Sequence, residues 1–391
     1  MSLSTLRGYR FNRMELAGSL GDLGTLLPLA LGMILLNGMA ATNVLLTFGL
    51  SYVIAGLYFG VPVAVQPMKA IAAYAIAAEL APQQIAASGL WMAGLLLLLG
   101  ITGLIDVISR VTPKSTVRGI QLSVGIVLLV KGFKLLVAED PNLAVRTLGP
   151  LSTGIVIGSA GLVLTFLLLD NRRFPAALVV LVLGVVCGLA VGKPVDLAGL
   201  LAEPQLPRPV PYGWPSWSTL LWVLPVLVLP QLPLTIGNAV ISSTDLTHEY
   251  FPGSASKVTH RSMTMSQGLA NLFSFVMGGI PVCHGAGGVA AHYRFGARTG
   301  GSNLCIGGVI LVIALGFGDN AVALLALMPV SILGVLLVFA GLELALMIRD
   351  LRERDDLFVA LLMLGLALAF NLAVAFGVGV VVAYWLRRRG S

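Results

Sequence analysis

The stretches VPVAVQPMKAIAAYAIAAEL (residues 61–80) and IPVCHGAGGVAAHYRFGA (residues 280–297) are interrupted in the same way. Each begins with a short run typical of a β-strand, meets a polar or helix-breaking cluster, and continues as a small-residue segment that favours a helix. A bilayer offers no water to backbone groups, so non-helical backbone inside it must line a cavity within the protein. Paired interruptions in the two halves of a membrane protein are typical of a secondary transporter's binding site. The sequence therefore predicts a transporter whose substrate lies between the two breaks.

The composition of the chain is that of a membrane protein. Hydrophobic residues make up 57% of the chain and charged residues 10%, against about 25% charged residues in an average soluble domain. Many windows reach the length of about 20 apolar residues that a spanning helix needs, and no long polar stretch indicates a separate soluble domain. The first 14 residues are polar and basic, and the first apolar segment lacks a small-residue cleavage site. We therefore expect no cleaved signal peptide.

The cysteines and the net charge do not indicate a disulfide, a metal site or binding to nucleic acid. The number of cysteines is odd and their spacing matches no metal motif, so we expect no disulfide, no metal site and no cofactor. The net charge of +7 is interpreted as the basic excess of cytoplasmic loops, with no nucleic acid as a partner. The cysteines are Cys187, Cys283 and Cys305.

The apolar segments predict an all-α polytopic membrane protein with about fourteen transmembrane segments, of which the third and tenth are broken. The last two are short, which suits a hairpin. A proline-rich external linker, residues 193–218, separates two sets of seven, residues 1–192 and 219–391. Because seven is odd, the second set must enter the membrane in the opposite orientation, which gives an inverted repeat. The expected segments are 15–36, 43–59, 61–80, 88–108, 115–136, 150–169, 174–192, 219–243, 261–278, 280–296, 301–317, 321–342, 356–370 and 372–386.

The distribution of lysine and arginine supports an even number of segments with both termini in the cytoplasm. With the N-terminus inside, 18 of the 24 basic residues fall in cytoplasmic segments, five fall outside, and Lys69 falls within the membrane. This asymmetry is the one that the positive-inside rule requires, and one missed helix would invert every later loop. The five external residues are Lys131, Lys134, Arg146, Lys193 and Arg208.

The first break, Gln66-Pro67-Met68-Lys69, has the residues of an anion site. Pro67 suits the first turn of a half-helix because it lacks the amide that would be unpaired there. The free amides of Met68, Lys69 and Ala70 would point into the cavity, and the positive end of the helix dipole would add to the lysine charge. The alternative is a lysine that snorkels to the interface. Ionisable residues inside a membrane are functional by default, which favours a substrate-binding role for Lys69 and its neighbours.

The second break supplies a matching half-helix start. Gly285, Ala286, Gly287 and Gly288 allow the backbone to approach a ligand closely, because no large side chain intervenes. Two half-helix starts that face each other would form a cradle for an anion. His284 either donates to an oxyanion or passes a proton, or else it is a neutral histidine that caps the broken helix.

Two amide side chains in the eighth segment are further candidates for substrate binding. Gln231 and Asn238 are seven residues apart in LPQLPLTIGNAVISS (residues 229–243), so both lie on one face of an α-helix. Their amide groups are suitable neutral donors to a bound anion. The alternative is hydrogen bonding between helices, which is common for these residue types in membranes.

The first segment carries two acidic residues that are candidates for proton coupling. Asp22 and Glu15 are seven residues apart and share a helix face, and glycines nearby allow another helix to pack closely. Lys69 is the expected partner of Asp22, and an acid that either pairs with this lysine or accepts a proton suits ion-coupled anion uptake. The alternative is a purely structural Asp–Lys pair. Glu15 is expected nearer the membrane interface.

Four segments of the chain resemble signature stretches of the molybdate transporter family, a branch related to SulP sulfate permeases. They are GDLGTLLPLALGMILLNG, FGVPVAVQPMKAIAA, LPQLPLTIGNAVIS and PVCHGAGGVAAHYRFGARTG, and the resemblance covers essentially the whole chain. It implies the seven-plus-seven inverted-repeat fold of SulP and nucleobase permeases, and molybdate as the substrate, moved with protons across the cell membrane. The sequence ends soon after the last expected segment, and the resemblance to the molybdate branch leads us to expect no STAS domain of the kind that most SulP proteins carry. Molybdate, tungstate and sulfate all stay open as the preferred substrate.

Two other classes of protein, intramembrane enzymes and passive anion channels, are alternatives to a transporter. Gly316-Phe317-Gly318-Asp319 matches the GxGD pattern of intramembrane aspartyl proteases, but that chemistry needs a second nearby aspartate. The sequence contains no HExxH motif, which would indicate a metalloprotease. It therefore favours a transporter over an enzyme. A passive anion channel of the same fold stays open. The expected partners are the oxyanion, protons and membrane lipid, with a homodimer as an open alternative.

Overall fold

The structure, a computed structural model, is mostly helical and describes residues 8–111, 113–140, 143–148, 150–168, 171, 176–193, 208–320 and 327–390. Its α-helices are α1 Arg13–Ser19, α2 Leu23–Asn37, α3 Ala41–Phe59, α4 Lys69–Ala78, α5 Pro82–Thr102, α6 Leu104–Val111, α7 Lys114–Val137, α8 Thr153–Leu168, α9 Ala176–Val191, α10 Trp217–Val223, α11 Leu229–Leu234, α12 Ser243–Tyr250, α13 His260–Met277, α14 Ala286–Arg294, α15 Gly301–Phe317, α16 Val330–Ala345, α17 Arg354–Ala369 and α18 Leu372–Gly390. The strands are β1 Gln66–Pro67, β2 Thr147–Leu148, β3 Leu151–Ser152 and β4 Val282–Cys283. Single turns of 3₁₀-helix cover Leu20–Asp22, Gly318–Asn320 and Leu346–Asp350, and π-helix covers Leu224–Val228 and Thr235–Ser242.

Six continuous helical stretches among the described residues are long and apolar enough to cross a bilayer. Four further helices among the described residues are apolar but shorter: Lys69–Ala78, Thr153–Leu168, Ala176–Val191 and Gly301–Phe317. The fold is therefore that of a polytopic membrane protein. The total of fourteen segments and the seven-plus-seven division stay predictions. The six long stretches are Arg13–Asn37, Ala41–Phe59, Pro82–Thr102, Lys114–Val137, Trp217–Tyr250 and Val330–Asp350.

The two broken segments meet at the centre of the fold. Strand β1 pairs with β4 in antiparallel register, with Gln66 opposite Cys283 and Pro67 opposite Val282. All four residues are buried, and each strand leads within three residues into a half-helix, α4 or α14. The expectation of a short strand followed by a half-helix in both segments is confirmed.

Several expected boundaries differ from those of the structure. The expected segment 88–108 is helix α5 from Pro82 to Thr102, because proline suits the first helical position and Gly103 ends the helix with a left-handed φ of 73°. The eighth segment extends to Tyr250, beyond the expected residue 243. Residues 194–207 of the linker, Arg7, Arg172 and Arg173 lie outside the described residues, as do residues 321–326 of the twelfth expected segment.

The long helices pack in pairs around the two broken segments. Helix α3 packs on α15, α5 packs on α13, and α7 packs on α16. Helices α17 and α18 pack against each other, as expected for a hairpin. Helix α2 contacts β1 and α13 contacts β4. Buried apolar side chains of α2, α3, α5, α13 and α15 belong to one core cluster.

Candidate functional site

Polar side chains from the first break and from the first two segments form a buried chain of hydrogen bonds. Lys69 Nζ donates to Gln66 Oε1 at 2.9 Å, and Gln66 Nε2 donates to Asp22 Oδ1. The Tyr52 hydroxyl donates to the other oxygen, Asp22 Oδ2. Asp22, Gln66 and Tyr52 have no exposed surface, and Lys69 is 8% exposed. The expected direct pairing of Asp22 with Lys69 is wrong, because the Gln66 carboxamide lies between the two charges and hydrogen-bonds to both.

The glycines of the second break make room for this polar chain. A Cβ atom on Gly288 would lie 2.3 Å from Asp22 Oδ1 and 2.6 Å from Gln66 Nε2. A Cβ atom on Gly285, the N-cap residue of α14, would lie 2.2 Å from Gln66 Oε1 and 2.9 Å from Lys69 Nζ. The start of α14 therefore lies directly against the side chains of the first break. By contrast, a Cβ atom on Gly287 would have no neighbour within 4 Å.

The start of α4 differs from the expectation in two ways. Pro67 lies in β1, and Met68 is the N-cap residue, so the proline precedes the first helical turn that it was expected to occupy. The Met68 amide donates to Pro281 O at 2.9 Å, and the Ala70 amide donates to Gln231 Oε1 at 2.9 Å. Two of the three amides expected to be free therefore have protein partners.

Gln231 caps half-helix α4 from the eighth segment. Its Oε1 atom accepts hydrogen bonds from the amides of Ala70 and Ile71, at 2.9 and 3.4 Å, while its Nε2 atom donates to Thr235 Oγ1 at 3.0 Å. The side chain thus uses its oxygen at the helix start, where the sequence suggested a donor to the anion. An acceptor at a helix N-terminus satisfies amides that have no partner within the helix.

Asn238 lies in the π-helix Thr235–Ser242, where each turn contains more residues than an α-helical turn. The shared face expected for Gln231 and Asn238 assumed α-helix throughout, so it stays a prediction. Gln231 is 1% exposed and bonds to α4, whereas Asn238 is partly exposed and lines the cavity described below.

A cavity of about 360 Å³ extends from Lys69 along the start of α14. Lys69, Asn238 and Gly287 line it, so the structure brings together predicted site residues from both breaks and from the eighth segment. Its other polar lining includes Gln121, whose side-chain oxygen accepts from Arg118 at 2.7 Å. Arg294 and Glu343, both exposed, also border the cavity. The sequence analysis did not select Gln121 or Glu343, and counted Arg294 only as a loop charge.

Lys69 carries a charge in this cavity without a direct counter-ion. Among the described residues, no carboxylate oxygen lies within 4.0 Å of its ammonium group. A nearly buried ammonium group that has only a neutral amide as a partner is costly, so an anion in the cavity stabilises it.

His284 is held by protein groups on both ring nitrogens. Its Nδ1–H donates to Ala64 O at 2.7 Å, and the Ser266 hydroxyl lies 2.9 Å from Nε2. The ring borders a separate groove of about 700 Å³ between α3 and α13. Neither contact caps half-helix α14, whose N-cap residue Gly285 has no side-chain cap hydrogen bond. A role for His284 in substrate binding stays a prediction.

Glu15 is 1% exposed, which differs from the interfacial position expected for it. Its Oε1 atom accepts from the amides of Arg298 and Thr299 and from the Thr299 hydroxyl, at 2.9–3.0 Å. Glu15 therefore anchors the loop that leads into α15. In the part of the chain that the structure describes, no side chain links Glu15 to Lys69 in the way that Gln66 links Asp22.

His292 is a buried neighbour of Asp22 that the sequence analysis missed. Its Nδ1 atom lies 2.8 Å from Gly18 O, and its Nε2 atom lies 3.9 Å from Asp22 Oδ2. The available signal was a second histidine within the small-residue segment, eight residues after His284. Tyr52 was missed because tyrosine in an apolar helix has no distinctive pattern. In the described part of the chain, no group of three acidic, histidine or cysteine side chains is arranged to hold a metal ion.

Comparisons with known proteins agree with this architecture. The family described as "Molybdate transporter of MFS superfamily" has a model that matches residues 14–128 and 224–344. Molybdate transporter 2 of Arabidopsis thaliana is 34% identical over 415 residues, covering 96% of this chain and 87% of the relative. Molybdate transporter 1 of Chlamydomonas reinhardtii is 30% identical over 474 residues, covering 94% and 90%.

Solved structures share the fold at low sequence identity. The transmembrane domain of a cyanobacterium bicarbonate transporter, BicA, has a TM-score of 0.67 at 18% identity, covering 98% of both chains. The murine Solute Carrier 26 family member A9 anion transporter has a TM-score of 0.70 at 16% identity, covering 99% of this chain and 70% of that one. The fold is therefore that of these anion transporters, and the relatives are transporters rather than enzymes.

Proposed function

The chain belongs to the molybdate transporter family, and we propose that it is a secondary active transporter that imports molybdate together with protons. The observation that carries this proposal is the environment of Lys69. Its ammonium group is nearly buried, begins half-helix α4, borders the cavity and has no carboxylate within 4.0 Å among the described residues. A compact divalent oxyanion supplies the missing negative charge.

The proposed site binds the oxyanion through charge and backbone amides. Lys69 Nζ provides the charge-assisted hydrogen bond, and Asn238 and the Gly287 amide offer neutral donors from the cavity wall. Gln66 and Gln231 hold the lysine and the start of α4 in place. Sulfate or another divalent oxyanion would use the same donors, which makes it the alternative substrate. The proposed substrate-binding residues are Gln66, Pro67, Met68, Lys69, Gln231, Asn238, His284, Gly285, Ala286 and Gly287.

We propose the inverted repeat because exchanging the two sets of seven segments converts the main helix contacts into one another or into themselves. Adding seven to a segment number converts the second and fourth segments, α3 and α5, into the ninth and eleventh, α13 and α15. The contacts α3–α15 and α5–α13 are then equivalent, and the β1–β4 and α7–α16 contacts each map onto themselves. This pattern supports fourteen segments as seven plus seven, over residues 1–192 and 219–391.

The cavity opens toward the proposed cytoplasmic side. Arg294 at its mouth belongs to the basic residues assigned to the cytoplasm, and the neighbouring Met347 precedes a further basic cluster. On the opposite side, Lys131 Nζ lies 2.7 Å from Glu79 Oε1, which ties the end of α4 to α7. The arrangement supports an inward-facing state in the cytoplasmic membrane, with both termini inside.

Asp22 is the proposed proton acceptor, with Glu15 as the second candidate. Ionised Asp22 holds the Gln66 amide, which in turn holds Lys69. Protonation of Asp22 reduces the negative potential at the lysine, so proton and anion bind with positive and reciprocal coupling. Assembly as a homodimer and contacts with membrane lipid stay predictions.

Uptake of labelled molybdate into proteoliposomes tests the proposed function. We expect accumulation above the external concentration when the lumen is made alkaline, and only equilibration without a proton gradient. Competition by tungstate and sulfate ranks the oxyanions. Equilibration at the same level with and without the gradient would indicate a passive anion channel, and the absence of any molybdate flux would overturn the proposed substrate.

A further inference from the structure

We propose that His292 is a proton-binding residue of this transporter, and that the coupling proton lies between His292 Nε2 and Asp22 Oδ2. The proposal rests on proton-coupled oxyanion transport as the function. It assigns the proton to a histidine–aspartate pair, where the proposed function requires only an acid in the first segment.

The hydrogen bond of the other ring nitrogen fixes the form of His292. Nδ1 lies 2.8 Å from the Gly18 carbonyl oxygen, which can only accept, so Nδ1 carries the hydrogen. In the neutral ring, Nε2 is then a bare acceptor. This atom is completely buried and has no hydrogen-bond partner. It faces Asp22 Oδ2 at 3.9 Å, and two facing acceptors leave a place that one proton fills.

Several charged and titratable groups surround the pair of His292 and Asp22. Asp22 already accepts from Tyr52 and Gln66, and the Tyr52 ring meets the imidazole edge-on at 6.4 Å between centroids. Among described titratable groups, only Asp22 forms an ion-pair contact with His292. The other titratable groups on the helical elements packed against α14, and on α14 itself, are Arg13, Glu15, Asp245, His248, Glu249, Tyr250, Tyr293 and Arg294.

Proton binding at this pair changes the net charge that the oxyanion meets. With ionised Asp22 and protonated Lys69, the linked groups Asp22, Gln66, Lys69 and neutral His292 sum to zero. One proton from water binds Nε2, no other covalent bond changes, and the sum becomes +1. A dianion then binds a positive site, and its release in the cytoplasm allows the proton to leave. The coupling is positive in both directions.

Calorimetry in buffers of different ionisation enthalpy tests the proposal. Wild-type protein in nanodiscs is titrated with molybdate between pH 6 and 8, and the buffer dependence of the heat gives the protons bound per molybdate. We expect uptake that approaches one proton within this range. His292→Asn keeps a donor for the Gly18 carbonyl but lacks the titrating nitrogen, so it should bind molybdate with proton uptake near zero. His292→Gln is the second variant. The control is His248→Asn, because His248 bonds to Val258 O outside the site and should keep the wild-type uptake.

The outcomes separate this proposal from the proposed function. Wild-type binding of molybdate with proton uptake, unchanged in folded His292→Asn, would assign the proton to another group and overturn the role of His292. Failure of wild-type protein to bind molybdate would overturn the proposed function itself. Nitrogen-15 spectra of histidine-labelled wild-type protein give a test without variants. One of the four histidines should become doubly protonated on molybdate saturation at constant pH, and no such change would overturn the proposal.

Discussion

Gln231 Oε1 accepts a hydrogen bond from the Ala70 amide at 2.9 Å, so an uncharged oxygen of the eighth segment occupies the start of half-helix α4. That position is the one where a helix binds an anion most readily. Gln231 therefore serves as a neutral cap beside Lys69, and its charge can be changed without altering its size.

Gln231→Glu should block oxyanion binding. A carboxylate at the start of α4 satisfies the same amides, but it repels a dianion within a poorly hydrated cavity, so affinity should fall by at least about tenfold. Molybdate titration calorimetry measures this. Gln231→Met is the matched neutral variant. It should keep measurable binding, with unfolding easier by about 1–3 kcal/mol because the Ala70 amide loses its partner. Equal affinities in the two variants would contradict the electrostatic role.

Gly288→Ala should destabilise the fold, because its new methyl group would overlap Asp22, Ala64 and Gln66. Overpacking in a tight core costs about 1–3 kcal/mol. Gly287→Ala is the control in the next residue, where a methyl group has open space, and it should leave the melting temperature unchanged or raise it slightly. Thermal unfolding in one detergent compares them. A Gly288→Ala variant as stable as Gly287→Ala would show that the breaks pack more loosely than the structure describes.

Breaking the Glu79–Lys131 ion pair should favour the outward-facing state. The pair joins the end of α4 to α7 at 2.7 Å on the proposed external side. Arg294 and Glu343 border the cavity mouth, and neither forms an ion pair within 4.0 Å with another described residue. Lys131→Gln should therefore slow labelling of a cysteine at Gly287 by a cytoplasmic reagent by about twofold, a modest change because the Glu79 carboxylate is exposed. The exchanged variant Glu79→Lys with Lys131→Glu should restore the rate. Faster labelling in Lys131→Gln would contradict this assignment.

The same contact has a defined pH dependence. The hydrogen bond and charge of Lys131 hold the pKa of Glu79 below its ordinary value. Since the folded-state pKa is lowered, the stabilisation is present above the ordinary carboxylate range and is lost as the pH falls through the lowered value. The effect of this pair on the labelling rate of a cysteine at Gly287 should therefore be constant from pH 8 to about pH 5. In Glu79→Gln it should be slower over the whole of that range.

Asp22→Asn should separate binding from accumulation. The neutral amide can still meet Gln66 and Tyr52, so the site should form and bind molybdate, but with little pH dependence and without uphill uptake. Affinity is measured between acid and neutral pH, and accumulation in proteoliposomes with an imposed gradient. If the variant keeps both the wild-type pH dependence and accumulation, Asp22 is structural, and coupling belongs to His292, Glu15, His284 or the substrate.

The sequence predicted the elements of the site better than their contacts. The breaks at Gln66 and Cys283 were visible because strand-like residues and helix breakers interrupt apolar runs, and local composition is enough to show that. The link from Asp22 through Gln66 to Lys69 depends on how the first segment packs against β1, which is a tertiary contact between residues 44 positions apart. The charges alone favoured a direct pair.

The expected and observed sites also differ at Asn238 and His292, because local or tertiary structure acts there that the sequence pattern does not show. The π-helix at Thr235–Ser242 changes the number of residues per turn between Gln231 and Asn238, and a periodicity argument that assumes α-helix cannot detect it. His292 has no distinguishing neighbour in sequence, and its role depends on Gly18 and Asp22 from the first segment.

Molybdate binding to Lys69→Ala, measured by calorimetry at neutral pH beside wild-type protein and Lys134→Ala, tests the central claim most directly. Lys134 is an exposed lysine of α7, away from the cavity. The loss of one charge-assisted hydrogen bond should weaken binding by about 1.5–3 kcal/mol in Lys69→Ala, while Lys134→Ala keeps the wild-type affinity. A folded Lys69→Ala protein that binds molybdate as tightly as wild type would contradict the claim, and would make Lys69 only an anchor for Gln66.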